Sequence, residues 1–305
     1  MTTSPQTVRR ATAIGAIAIG LWSTLALFTT LTGAIPPFQL VAMTFGLAFL
    51  VGTTAALARG RSPWQPLRQP PVVWALGVGG LFGYHFFYFL ALRLAPPIEA
   101  SLLNYLWPLL IVLFSALLPG ERLRANHAAG ALAGLAGTVL LVTGGHGFIL
   151  ASAALPGYAA ATVAAVLWAG YSVLSRRFGS VPTEAVGGFC LATALLALGC
   201  HFVFETTVVP ASWEWVAILA LGIGPAGAAF FVWDYGVKHG NIHALGALSY
   251  LTPLLSTALL IISGRAEAGW TIWAACGLIV GGAVLASWDM LHRPASASGH
   301  SGPHS

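Results

Sequence analysis

The chain has 305 residues, of which 57% are hydrophobic and 7% charged, with a formal net charge of +5 and a mean hydropathy of +0.84. A water-soluble protein carries about 25% charged residues, so this composition excludes a soluble enzyme, a nucleic-acid binder and a disulfide-stapled secreted domain. The remaining class is a polytopic membrane protein.

Taken in chain order, Arg9 and Arg10 precede an apolar run over 11–31. That run is longer than a signal-peptide core and lacks an A-x-A cleavage site, so it reads as a retained first span. Further runs of about 20 apolar residues cover 38–58, 72–92, 97–118, 127–147, 155–175, 184–204, 214–237, 242–263 and 269–289. The expectation is ten transmembrane helices with short connections. No phosphate-binding G-x-x-x-x-G-K-[ST] loop interrupts them. Cys190, Cys200 and Cys276 all fall inside apolar runs and read as small buried hydrophobes. Residues 294–305 are rich in Ser, Gly, Pro and His and read as a disordered tail, with His292, His300 and His304 too loosely spaced for a metal site.

Lys and Arg orient the spans. With the N-terminus in the cytoplasm, Arg9, Arg10, Arg59, Arg61, Arg68, Arg122, Arg124, Arg176, Arg177, Lys238 and Arg293 lie inside, and only Arg93 and Arg265 outside. Both termini are therefore expected in the cytoplasm.

An internal repeat is also legible. Residues 103–110 read LNYLWPLL and residues 248–255 read LSYLTPLL, six matches in eight at a spacing of 145. The same spacing pairs Phe86 with Phe231, Tyr88 with Trp233, Arg93 with Lys238, and GVGG at 77–80 with GIGP at 222–225. At a spacing of 146, Leu21-Trp22 pairs with Leu167-Trp168. Each repeat holds five spans. Five is odd, so the second copy enters the membrane from the opposite side, an inverted-topology duplication typical of secondary transporters. The reading divides the chain into a cytoplasmic segment 1–10, a repeat over 11–147, a repeat over 155–290 and a cytoplasmic tail over 291–305.

These features, with the Tyr-Leu-x-Pro-Leu-Leu block in spans 4 and 9, resemble the drug/metabolite transporter superfamily, EamA type. The segment FGYHFFYFLALRLAPPIEASLLNYLWPLL over 82–110 is most similar to its aromatic amino-acid exporter (YddG-like) branch. The resemblance implies a multi-pass exporter of the bacterial inner membrane, taking small-molecule amino acids as substrate and holding no cofactor.

Polar residues on one stripe of a span face the protein interior or a cavity, because lipid offers them no partner. Span 4 carries Ser101, Asn104, Tyr105 and Pro108 at helical spacing, and span 9 repeats it with Gly246, Ser249, Tyr250 and Pro253. Span 6 carries Trp168, Tyr171, Ser172 and Ser175, and span 3 carries Tyr84, His85 and Tyr88. Trp22 mirrors Trp168, and Trp107 flanks the span-4 stripe. The expected substrate lining is Trp22, His85, Tyr88, Asn104, Tyr105, Trp107, Trp168, Tyr171, Ser249 and Tyr250. An interface belt and helix-packing hydroxyls are the plainer alternative. Pro108, Pro225 and Pro253 are expected to break their spans, and carbonyls freed at Asn104 and Ser249 would either face a substrate ammonium or belong to ordinary kinks satisfied by a neighbouring Ser or Asn. His85 and the tyrosine hydroxyls would face its carboxylate.

Asp234 sits one turn before Lys238, and an i,i+4 pair explains it; Glu99 would pair with Arg93 in the same way. The interior then lacks an acid relay, which points to passive or exchange transport; a proton-coupled multidrug or metabolite exporter is the alternative. An intramembrane enzyme would need a nucleophile–base set or paired acids at depth, and none is evident. No metal site is expected. GALAGLAG at 130–137 and the pair Gly277/Gly281 offer faces for close helix packing, with a monomer expected and a dimer left open.

Overall fold

A computed structural model describes residues 4–119, 121, 123–147, 151–264 and 269–288. Arg122, Arg265, Arg293 and the tail over 291–305 lie outside the described residues. Those described form helices without a strand. Among the described residues, nine helices are long and apolar enough to cross a membrane: α1 (Pro5–Thr30), α2 (Pro37–Ala58), α3 (Pro71–Leu94), α4 (Pro97–Ser115), α5 (Ala125–Thr143), α6 (Ser152–Arg177), α7 (Ala185–Phe204), α8 (Glu214–His239) and α9 (Ile242–Ile262). The last helix, α10 (Trp270–Ala286), has 17 residues and is apolar but shorter. Its outer surface, like that of the others, presents large apolar side chains such as Leu50, Leu132, Leu195, Val216 and Leu278. A hydrocarbon solvent demands that arrangement.

Helix starts follow from local chemistry. Ser4 caps α1 by accepting from the Thr7 amide at 3.3 Å, with Pro5 in the first turn where no amide donor is needed. The first helix therefore begins within the segment 1–10, earlier than the apolar run itself. Proline also opens α2, α3 and α4. The amides at the start of α2 are met from another helix: Glu205 at the end of α7 accepts from Phe38 and Gln39 at 3.0 and 3.1 Å. A buried carboxylate on a helix N-terminus satisfies both orphan donors and complements the dipole.

Five of the helix pairs in contact follow the repeat: α5 with α10, α2 with α7, α4 with α9, α1 with α8, and α3 with α6. Exchanging each helix with the one five later returns the same set. The two copies share a second feature. α3 widens by one residue per turn over Gly79–Gly83 and α8 does so over Gly224–Ala228, 145 residues on. The wide turn in α8 contains Pro225, but its mate in α3 has Gly80 there, so proline is not what makes it. At Gly80 a Cβ would fall 2.4 Å from Tyr171, and glycine is what lets α6 approach.

α5 lies against α10 through Gly130 and Gly137, where a Cβ would come within 3 Å of Gly282, Ala286 and Ile279. On α10 the packing residue is Gly282. Gly277 and Gly281 face open space, so the packing face expected there is displaced by one position. The third glycine of the α5 stripe, Gly134, receives the ring of Tyr250.

Contacts among the connections define two ends. At one, Arg61 meets Glu184 at 2.9 Å, Arg176 meets Glu121 at 2.7 Å, and Lys238 donates to the Val181 carbonyl at 3.0 Å. At the other, Gln39 exchanges two hydrogen bonds with Val208, and Arg93 lies 3.7 Å from Glu205. The ion pair of Arg93 is thus with Glu205, more than a hundred residues on in the sequence, rather than with nearby Glu99.

Candidate functional site

A cavity of about 570 Å³ enters the bundle from the end that holds Gly33 and Pro37. Its lining comes from α1, α2, α3, α4, α6, α8 and α9. Of the expected lining, Trp22, His85, Tyr88, Asn104, Tyr105, Trp107 and Trp168 border it. The structure brings these seven together from four helices.

The floor is aromatic. Trp22 and Trp168 have ring centroids 5.5 Å apart, and Trp107 lies 6.3 Å from each. Trp233 closes the cluster from beneath, 5.1 Å from Trp22, and is fully buried. Two of the ring nitrogens are bonded: Trp22 Nε1 donates to the Pro225 carbonyl at 3.1 Å and Trp233 Nε1 to Ser172 Oγ at 3.0 Å. The four indoles pack edge-to-face, except that Trp233 is stacked on Trp168 and tilted against Trp22, each pair adding about 0.5–1.5 kcal/mol beyond buried area.

One wall is polar. The Asn104 amide donates to the Tyr84 hydroxyl at 3.1 Å, and Tyr88 shares a hydrogen bond with Ser101 at 3.2 Å. Asn104 Oδ1 is buried without a partner among the described residues, as is the Thr252 hydroxyl across the cavity. His85 Nδ1 lies 2.7 Å from the Leu81 carbonyl. A carbonyl only accepts, so Nδ1 carries a proton, and in the neutral ring Nε2 is left as an acceptor. The opposite wall is apolar, with Phe45, Phe89 and Phe230. Among the described residues, none that borders the cavity carries a formal charge.

Three expected residues are elsewhere. Tyr171 lies below the tryptophan floor, where its hydroxyl reaches Asp234 Oδ1 at 3.4 Å. Tyr250 is buried between α5 and α4, among Val112, Ala131, Leu254 and Ile279. Ser249 is buried too, and its hydroxyl returns to the Leu245 carbonyl at 2.7 Å. The Ser249 carbonyl accepts the Thr252 amide at 3.1 Å, so it is not free for a ligand. α9 contributes Thr252 and Ser256 instead. Pro225 borders the cavity, whereas Pro108 and Pro253 are buried away from it. α4 and α9 both break just before their prolines, at Tyr105–Leu106 and Ser249–Tyr250.

Sequence reasoning missed Phe45, Phe89, Phe230, Thr252 and Ser256. Each sits in an apolar run where only tertiary position separates lining from packing. Tyr84 was on the span-3 stripe, and its bond to Asn104 is what fixes that amide.

Similarity to known proteins follows the same lines. The EamA-like transporter family matches this chain twice, over residues 10–143 and 155–288. The chain belongs to the EamA-like transporter family. The two EamA matches are displaced by 145 residues, the spacing of the internal repeat. An aromatic amino acid exporter, YddG, of Ancylobacter novellus is 60% identical over 280 residues, covering 91% of this chain and 96% of the relative. The YddG of Escherichia coli K12, with the same description, is 27% identical over 293 residues, covering 92% of this chain and 97% of its own. A solved crystal structure is similar with a TM-score of 0.88 at 58% identity, covering 93% of this chain and 99% of that one. The chain is thus a multi-pass membrane protein of the EamA-like family.

Proposed function

We propose that the protein exports aromatic and other apolar amino acids across the bacterial inner membrane by alternating access, passively or by exchange, and is not an enzyme. Ten spans, two inverted five-helix repeats and cytoplasmic termini belong to the same reading. The end of the bundle with Arg9, Arg59, Arg61, Arg176, Arg177 and Lys238 is then cytoplasmic, and the cavity opens outward. The name of the 60% identical relative supports the substrate class.

The observation that carries the reading is the cavity itself. Its volume suits a small ligand, its floor and one wall are aromatic, and its other wall offers uncharged acceptors and donors. A zwitterion needs both charges met. Asn104 Oδ1 and His85 Nε2 are acceptors and suit the ammonium, which reverses the role expected of His85. The hydroxyls of Tyr88, Tyr105 and Thr252 are available to the carboxylate, and the ring lies on Trp22, Trp107 and Trp168.

The test is flux of labelled phenylalanine and tryptophan into liposomes holding only this protein. Uptake down a substrate gradient, with no ATP and no pH gradient, is the expected result. Loss of counterflow on collapsing the pH gradient under equal substrate loading would overturn passive transport. Failure to move any aromatic amino acid would overturn the substrate class.

A further inference from the structure

The bundle departs from its own pseudo-symmetry in two places. The second half of α8 contacts α6, but the equivalent contact of the second half of α3 with α1 has no counterpart of similar extent. Likewise the first half of α9 packs on the second half of α4, whereas the first half of α4 and the second half of α9 stand apart. The separated members border the open cavity, among them Leu25, Phe89, Asn104 and Thr252. The closed members lie below the tryptophan floor. There a remnant cavity of about 10 Å³, room for one water, is bordered by Tyr171, Ser175, Phe178, Val181, Asp234 and Lys238. In the repeat these positions correspond to the walls of the open cavity: Asp234 to Phe89 at a spacing of 145, Tyr171 to Leu25 at a spacing of 146.

This remnant is therefore the collapsed inner route, and it differs chemically from the outer one. Asp234 Oδ2 and Lys238 Nζ are 2.8 Å apart, with side chains 1% and 3% exposed. Thr183 donates to Asp234 Oδ2 at 2.8 Å, Tyr171 to Oδ1, and Lys238 donates to the Val181 carbonyl. Closing the helices does not itself require charge, because the outer counterpart of Asp234 is Phe89. A zwitterion leaving the cytoplasm must shed water before it reaches an uncharged cavity, and unpaired charge at membrane depth is costly. This buried ion pair stands on that path, where the cytoplasmic end meets the closed half.

We propose that Asp234 and Lys238 form a docking site for the α-ammonium and α-carboxylate of an amino acid entering from the cytoplasm. The proposal rests on the alternating-access reading. Parting α8 from α6 and from the connection that follows α6 takes Tyr171, Val181 and Thr183 away from the pair, which stays together on α8. The substrate ammonium then replaces the donors lost by Asp234, and the substrate carboxylate replaces the acceptor lost by Lys238. Each charge keeps a partner throughout, and the charge-assisted bonds carry the head group while the side chain reaches the tryptophan floor.

The experiment compares three probes in proteoliposome counterflow: phenylalanine, phenethylamine, which lacks the carboxylate, and 3-phenylpropionate, which lacks the ammonium. For D234N the preference for phenylalanine over 3-phenylpropionate should fall about tenfold or more, and for K238Q the preference over phenethylamine should fall similarly, because a site built for a polar group rejects analogues lacking it. Ratios measured on one sample cancel protein abundance and gating speed. If either single variant fails to insert, D234N/K238Q leaves no unpaired charge, and both preferences should fall in it. Equal scaling of all three probes in these variants would overturn the proposal and leave the pair as a latch. Failure of the wild-type protein to move phenylalanine would instead overturn the exporter reading.

Discussion

Tyr105 and Tyr250 occupy the same place in the two repeats but have different surroundings. Tyr105 borders the cavity, and Tyr250 is fully buried against Gly134. Substitutions at the two should fail in different ways. Alanine at His85, Tyr88, Tyr105 or Trp168 removes a lining contact and should lower phenylalanine transport per folded molecule, by roughly two- to tenfold for each aromatic contact. Tyr250→Ala empties a packed site, and comparable truncations cost about 3–5 kcal/mol. It should reduce the amount of folded protein while leaving transport per molecule near wild type. Trp213→Ala and Trp270→Ala, at exposed positions, should change neither quantity. Transport assayed against fluorescence-quantified protein separates the three groups, and a uniform loss tracking abundance would reduce the lining to ordinary packing.

Helices here approach through glycine, and the structure distinguishes which glycines matter. Gly130 has the Gly282 carbonyl and Ala286 within 3 Å of a would-be Cβ, while Gly277 meets nothing within 4 Å. Gly130→Leu should therefore separate α5 from α10, at about 1–3 kcal/mol or more for overpacking. Its melting temperature in detergent should fall by several degrees, and Gly277→Leu should leave it unchanged. Equal shifts for both would contradict the assigned face. The wide turns in α3 and α8 follow the same logic, since Gly80→Ala forces a methyl group into Tyr171. That change falls on the closed half, so it should disturb closure there before it disturbs the open cavity.

The whole molecule is two similar halves held in an asymmetric arrangement, and the second state follows by exchanging their roles. Leu25 and Phe89 now border the open cavity, whereas their counterparts Tyr171 and Asp234 touch. A Leu25→Cys/Phe89→Cys pair should therefore cross-link only when the outer side closes. Cross-linking should rise during turnover and arrest transport, and a cross-link rate insensitive to substrate would count against the exchange. Single cysteines near Gly60 and Arg124 should label from the cytoplasm, and those near Gly33 and His146 from outside. Labelling of Arg61→Cys from outside would sink the orientation.

Composition alone determined that the chain belongs in a bilayer, because 7% charge cannot cover a soluble surface. Apolar runs located the helices, and the 145-residue spacing revealed the duplication before any contact was known. The same pattern could find Trp22 and Trp168, since repeat mates near the pseudo-axis meet whichever half is open. It could not separate Asn104 and Tyr105 from Ser249 and Tyr250. Those residues share a stripe and a spacing, and they differ only because α4 and α9 are parted on one side and packed on the other. Nor could it find Glu205 as the cap of α2, a contact made across 166 residues. A repeated sequence encodes both halves in both roles, and only the tertiary arrangement decides which half is the cavity and which is the seal.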